Sequence, residues 1–199
     1  MPTLAEQLAH MATGAVYDDL TPELIDARRR AVLATNAYNA AYGGSQEQRE
    51  ELLRAVVGGA GEGANLEPTF RCEFGTNIRL GARFFANFDC VLLDGAPITI
   101  GDDVLVGPKV GFYTSDHSLD RAERVAGACV ARPITVGDGV WIAGGVTVLG
   151  GVRIGTGSVI GAGSVVMRDV PPGVVAVGNP ARVLRPITQA DRTGFASQH

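Results

Sequence analysis

The chain has 199 residues, a net charge of −4 and 46% hydrophobic residues. This composition suits one folded domain with a small appendage and excludes a disordered chain. No apolar run reaches the ~18 residues of a membrane helix, and the negative charge argues against bulk nucleic-acid binding. The stretch MPTLAEQLAHMATG has neither the basic nor the apolar region of a secretory signal. Three cysteines (Cys72, Cys90, Cys129) stand at unrelated spacings without a CxxC. That reads as free thiols in a reducing cytoplasm.

The first quarter is predicted helical. Thr3 and Glu6 form a capping box ahead of Leu4, Leu8 and Met11, with Gly14 closing the segment. A second helix starts at Thr21-Pro22 and runs to Gly43-Gly44, threonine capping and proline in the first turn. Ser45 and Gln48 form another capping box that opens a third helix, which Gly58-Gly59 ends. Such short amphipathic helices need a larger body to pack on.

From about residue 74 the helical period gives way to a six-residue one. Its clearest run is Val136, Ile142, Val148, Ile154, Ile160 and Val166, with Val140, Val146, Val152, Ser158 and Ser164 at the second repeating position. An earlier run has Ile100, Val106 and Phe112; a weaker one has Leu80, Ala86 and Leu92, followed by a two-residue slip at Asp94–Pro97. This is a hexapeptide repeat. Each rung gives one short strand and one tight corner, and three rungs close a triangular coil. The aliphatic residue stacks on its counterpart a coil away, while Gly, Asn or Asp at the corner permits positive φ. The prediction is a mainly β protein, a parallel β-helix. A sandwich would show period-two alternation and hairpin turns, which are not seen.

The repeat is interrupted at length once, by YTSDHSLDRAERVAGACVARPIT between Phe112 and Val136. Long insertions at solenoid corners are often functional. This one holds His117 among Thr114, Ser115, Asp116, Ser118 and Asp120. A lone loop histidine is commonly just solvated; its place in this excursion makes it a candidate base. Cys129 lies in the same loop without an identifiable base beside it, so an idle thiol is the simpler reading. No metal site is expected: histidine-ligated zinc wants three protein ligands, and the repeat region has one histidine. That argues against a zinc hydratase built on this solenoid. Residues 151–199 carry five Arg against two Asp, with Phe195 the sole aromatic. This composition fits a small phosphate site better than a strand-binding groove, unless it is simply solvated surface.

The stretches CEFGTNIRLGARFFANFDCVLLD, ITIGDDVLVGPKVGFYTSDHSLD and RPITVGDGVWIAGGVTVLGGVRIGTGSVIGAGSVVMRDVPPGVVAVGNPARVLR resemble the maltose/galactoside O-acetyltransferase family. So does the N-terminal GAVYDDL…PELIDARRRA…YN. The resemblance implies a left-handed β-helix, a homotrimer and transfer from acetyl-CoA to a sugar hydroxyl. It implies a helical acceptor-lining domain over 1–59, the β-helix over 60–187 with loop 113–135 inserted, and a tail over 188–199. His117 matches the catalytic histidine, and Asn87 an asparagine supporting the transition state. Asp19 and Arg28 match acceptor contacts. Glu73 stands where relatives have Ser or Asp, and Phe85 where Tyr is frequent. Asp94 is a further acceptor candidate, followed by Gly95 where a galactoside enzyme has a second Asp. Ala162, Arg182 and Arg185 match coenzyme contacts; Met167-Arg168 replaces a Thr-Lys pair there, and Gly144 a Ser. Trp141 and Phe88 are candidates to line a groove. An antibiotic or amino-sugar acceptor, or a non-catalytic β-helix scaffold, are the other readings of the same residues.

Overall fold

The computed structural model describes residues 2–195; Met1 and the last four residues of the 188–199 tail lie outside the described residues. Three N-terminal helices, α1 (Leu4–Ala12), α2 (Pro22–Ala40) and α3 (Gln46–Val56), precede the solenoid. Their starts follow the expected caps. Glu6 accepts from the Thr3 backbone N–H at 2.7 Å while Thr3 Oγ1 accepts from Glu6 N–H, completing the capping box. Thr21 and Ser45 cap α2 and α3 with their hydroxyls. For Ser45 only the serine half of the box forms, to the Gln48 N–H.

The solenoid is a three-sided parallel β-helix. One face stacks Gly59–Ala60, Ile78–Leu80, Ile98–Ile100, Ile134–Val136 and Arg153–Ile154. A second stacks Asn65–Leu66, Phe85–Ala86, Leu105–Val106, Trp141–Ile142, Val159–Ile160 and Val174–Val177, with Arg182–Pro186 returning antiparallel at the C-terminal edge. The third stacks Arg71–Cys72, Val91–Leu93, Gly111–Tyr113, Thr147–Leu149 and Val165–Val166. The register aligns the repeat residues across coils. Leu80, Ile100, Val136 and Ile154 form one inward column, and Ala86, Val106, Ile142, Ile160 and Ala176 another. Leu92, Phe112, Val148 and Val166 form the third. These side chains are essentially solvent-free. Towards the C-terminal end, Ser158 and Ser164 are also fully buried; each hydroxyl donates to a backbone carbonyl (Pro171 and Gly161) and accepts a backbone N–H.

The N-terminal end of the prism would expose unpaired strand edges. Helix α2 closes it. Tyr38 Oη donates to Leu66 O at 2.9 Å and accepts from Leu66 N–H, and the Asn39 amide bridges the N–H and C=O of Phe70. This is the larger body that the helices needed. A second, smaller core joins α1 and α2 to one edge of the prism through Met11, Tyr17, Leu24, Ala27, Phe74, Ala96, Cys129 and Ala131.

Corner residues take positive φ, as expected for Asp and Gly, but Arg83 and Lys109 do so as well. In the corner that Arg83 shares with Asp103, Gly139 (φ +61) has no neighbour within reach of a Cβ, so only its dihedral asks for glycine. Gly81 differs: a Cβ there would lie 2.3 Å from the Gly101 carbonyl in the next coil. Gly81→Ala is therefore expected to destabilise by about 1–3 kcal/mol or more. Gly139→Asn, tolerant of left-handed backbone, should stay within ~1 kcal/mol. Urea unfolding midpoints of the two variants check the contrast.

Candidate active site

One edge of the prism carries the candidate chemistry. Its successive corners are residues 73–77, the enlarged turn 94–97 and the long insertion after Gly111–Tyr113. The insertion is not an irregular loop. Ser115–His117 pairs antiparallel with Ala128–Ala131, around a short tip helix α4 (Arg121–Val125), and Tyr17–Asp18 adds a third strand. The ladder sets Tyr17 opposite Cys129 and Cys129 opposite His117. Directly opposed residues share a sheet face, so these three side chains form one row. His117 Nδ1 stands 2.9 Å from Cys129 Sγ.

The row lines a cleft of about 390 Å³ with Asp19, Arg28, Glu73, Ser115, Val32 and Leu93. Arg28 comes from the second turn of α2, aimed inward by the packing of Leu24 and Ala27. Its Nε donates to Glu73 Oε1 at 3.0 Å, its Nη1 to the Asp19 carbonyl at 2.9 Å, and its Nη2 pairs with the Asp19 carboxylate. Its guanidinium also lies over the Phe74 ring, 5.2 Å from the centroid. Burial works against the Arg28 charge, but Glu73 and Asp19 more than restore it, and its pKa rises. Burial raises the Glu73 pKa, with Arg28 pulling the other way. The Cys129 thiol is pushed up to about 11, chiefly by burial and then by the Asp19 and Glu73 carboxylates. It is a neutral thiol at physiological pH.

Asp94 stands beneath this cleft. It is fully buried, and its carboxylate accepts the backbone N–H groups of Glu73, Phe74 and Asn77 at 2.8–3.1 Å. Burial is the leading cause of its raised pKa, which the backbone donors oppose. Its position is that of a brace for the turn bearing Glu73. The two-residue slip in the repeat builds this brace. At Gly95 a Cβ would fall 2.2 Å from Ser115 Oγ and 3.4 Å from Tyr17 Oη, so a second aspartate has no room while the hairpin sits here.

Phe85, Asn87, Gly144 and Ala162 lie along a different edge. Asn87 follows Phe85–Ala86, and in that corner Asn87, Gly107, Ala143 and Gly161 stack coil on coil through backbone hydrogen bonds. Gly144 and Ala162 adjoin it, Gly163 N–H donating to Gly144 O. Asn87 Oδ1 accepts the Phe88 N–H at 2.8 Å. Phe85 is half-buried on the same face, while Phe88 and Trp141 are about half exposed along this side. Met167 and Arg168 are exposed just beyond Val165–Val166, which places them on the hairpin edge and not beside Asn87. Arg182 and Arg185 lie on the terminal antiparallel strand, where Arg185 already forks onto Asp191 at 2.7 and 2.8 Å.

Comparison with known proteins bears directly on this arrangement. Residues 10–61 match the maltose acetyltransferase hexapeptide capping motif, and residues 133–168 match the bacterial transferase hexapeptide (six repeats). Galactoside O-acetyltransferase of Escherichia coli is 38% identical over 90% of this chain and 88% of its own length. The chain belongs to the maltose/galactoside O-acetyltransferase family. A maltose O-acetyltransferase structure from Clostridium difficile superposes with a TM-score of 0.88 at 41% identity, covering 92% of this chain and 98% of that one. A hexapeptide-repeat acetyltransferase from Vibrio cholerae, solved with acetyl coenzyme A, has a TM-score of 0.83 at 42% identity, with the same 92% and 98% coverage.

The chain is thus an acetyltransferase of this family. Among the described residues no group of three or more His, Cys, Asp and Glu is placed to hold a metal ion. No described helix is long and apolar enough to cross a membrane. The residue that sequence reading left without a partner is Cys129. The base beside it is His117, 12 positions earlier. Recognising the insertion as an antiparallel hairpin would have paired them.

Asp94→Ala leaves three buried amides without their acceptor. The variant should lose roughly 2–4 kcal/mol of stability, and Asp94→Asn less, measured by urea unfolding.

Proposed function

We propose that the protein transfers the acetyl group of acetyl-CoA to a hydroxyl of a sugar, by direct attack in a ternary complex. The observation that carries this reading is the cleft in which His117 meets Asp19, Arg28 and Glu73, on a chain of this family. An alcohol is a poor nucleophile at neutral pH because almost none is ionised. Neutral imidazole at His117 takes the hydroxyl proton as oxygen attacks the thioester carbonyl. The tetrahedral oxyanion is met by Asn87 or a corner backbone N–H. It collapses with loss of the coenzyme thiolate, which receives the proton back from imidazolium. Asp19, Arg28 and Glu73 hold acceptor hydroxyls; Phe85 lies on the other edge.

The two edges of one prism do not face each other, so this reading requires a second copy. In a homotrimer, cyclic symmetry sets the His117 edge of one chain against the Asn87 edge of the next. The coenzyme then lies along the edge with Gly144 and Ala162, its phosphates near Arg168, Arg182 and Arg185. Arg185 must exchange Asp191 for phosphate, and Met167 offers an apolar contact. Asp94 acts from beneath, through Glu73. The three free cysteines suit a cytoplasmic enzyme.

One observation favours a second acceptor class. Asp19 and Glu73 outnumber Arg28, leaving the cleft an excess negative charge, which suits an amino-sugar and disfavours a uronic acid. Purified protein with acetyl-CoA should release free thiol when a neutral or amino-sugar is added. His117→Ala should lower kcat by roughly 10²–10⁴-fold with little change in KM for acetyl-CoA, while light scattering reports a trimer. A monomer in solution, or a fully active His117→Ala, overturns this reading.

A further inference from the structure

The row Tyr17–Cys129–His117 contains a group that the transfer chemistry above does not use. A histidine that accepts a proton at Nε2 must carry its own proton at Nδ1, and something must hold that proton in place. In hydrolytic triads the partner of Nδ1–H is a carboxylate, and elsewhere often a backbone carbonyl. Here the group at Nδ1 is a sulfur, the Cys129 Sγ at 2.9 Å. Carboxylates are nearby, but each has other work. Asp19 and Glu73 are taken up by Arg28, and Asp116, next to His117, pairs with Arg132.

We infer that Cys129 is the positioning residue of the catalytic base: its neutral thiol accepts the Nδ1–H of His117 and so leaves the Nε2 lone pair free for the acceptor hydroxyl. The inference rests on the function proposed above for its catalytic consequence, and on the ladder alone for its geometry. Three features support it. The antiparallel register forces the two side chains together, since Cys129 and His117 are directly opposed. Cys129 is only 2% exposed, so its sulfur is shielded from water although His117 itself is exposed. Tyr17 directly opposes the same cysteine in the ladder, and its hydroxyl donates to Ser115 Oγ, 3.4 Å away. With the Tyr17 hydrogen donated to Ser115, the Cys129 sulfur is left to accept Nδ1–H, and His117 is then in the tautomer that general-base catalysis needs.

The thiol is not a nucleophile in this arrangement. Burial and the two carboxylates keep it protonated, and a thioester on Cys129 would take away the sulfur that His117 requires. The acceptor proton passes to Nε2 and from there to the coenzyme thiolate, while Nδ1–H stays on Cys129 throughout.

The test combines tautomer and kinetics in the full-length protein. Nitrogen-15 NMR of the imidazoles, at a pH where they are neutral, should show His117 with its proton on Nδ1 in the wild type and in Cys129→Ser. In Cys129→Ala the signal should move towards a mixture of tautomers. In parallel, Cys129→Ala should lose about 10- to 100-fold in kcat with KM for acetyl-CoA within about threefold, and Cys129→Ser should recover most of the loss. Wild-type protein with the proton on Nε2, or Cys129→Ala with unchanged tautomer and kcat, overturns the inference. A fully active His117→Ala overturns it differently, by removing the catalytic role of the base, whatever the tautomer data show.

Discussion

The stacking of each inward aliphatic side chain on its counterpart in the next coil is the interaction on which the structure depends. A column such as Ala86, Val106, Ile142, Ile160 and Ala176 keeps successive coils in register. Register in turn keeps corners superimposed, so residues far apart in sequence share an edge. Glu73, Asp94 and the base of the hairpin meet for this reason alone. Because the interior is dry and closely packed, the prism cannot absorb extra residues inside. It can absorb them only at corners, and the enlarged turns lie on the edge that carries the cleft. The turn after Cys72 bears Glu73, the turn after Leu92 positions Asp94 under it, and the longest supplies His117 and Cys129.

The N-terminal helices serve the same edge in a second way. Helix α2 closes the open end of the solenoid with Tyr38 and Asn39, satisfying strand groups at Leu66 and Phe70. That anchor fixes the helix axis, and two to three turns earlier Arg28 projects into the cleft. A substitution that loosened the Tyr38 contact would therefore be felt at Arg28, and through it at Asp19 and Glu73. The helix is a structural cap and a wall of the cleft at once.

The solenoid was legible in the sequence because its period is strict and each repeat residue has one role. Val136, Ile142, Val148, Ile154, Ile160 and Val166 could be read singly, and all are buried. The helix starts were legible because Thr3, Thr21 and Ser45 cap by local contacts. The hairpin was not. Its strands are short, its tip is helical, and its partner Tyr17–Asp18 lies about 110 residues from the strand it pairs with. Asp94 illustrates the same limit, since an aspartate near a turn reads as a ligand-facing carboxylate until three buried amides are found on it. His117 was legible as a candidate from its polar setting, but its thiol partner was not, because spacing within an insertion says nothing about pairing until the turn is known.

The thiol also fits the charge economy of the cleft. Arg28 is the cation held between Asp19 and Glu73. An aspartate at position 129 would give His117 a stronger acceptor, but it would place a third carboxylate beside that guanidinium, in a position almost without solvent. The penalty for burying such a charge exceeds what one hydrogen bond to imidazole returns. An alanine would avoid the charge and leave Nδ1–H without a partner. A neutral, weakly accepting sulfur satisfies both demands. It meets the imidazole without adding charge, and it leaves the Asp19 and Glu73 carboxylates balanced against Arg28 alone.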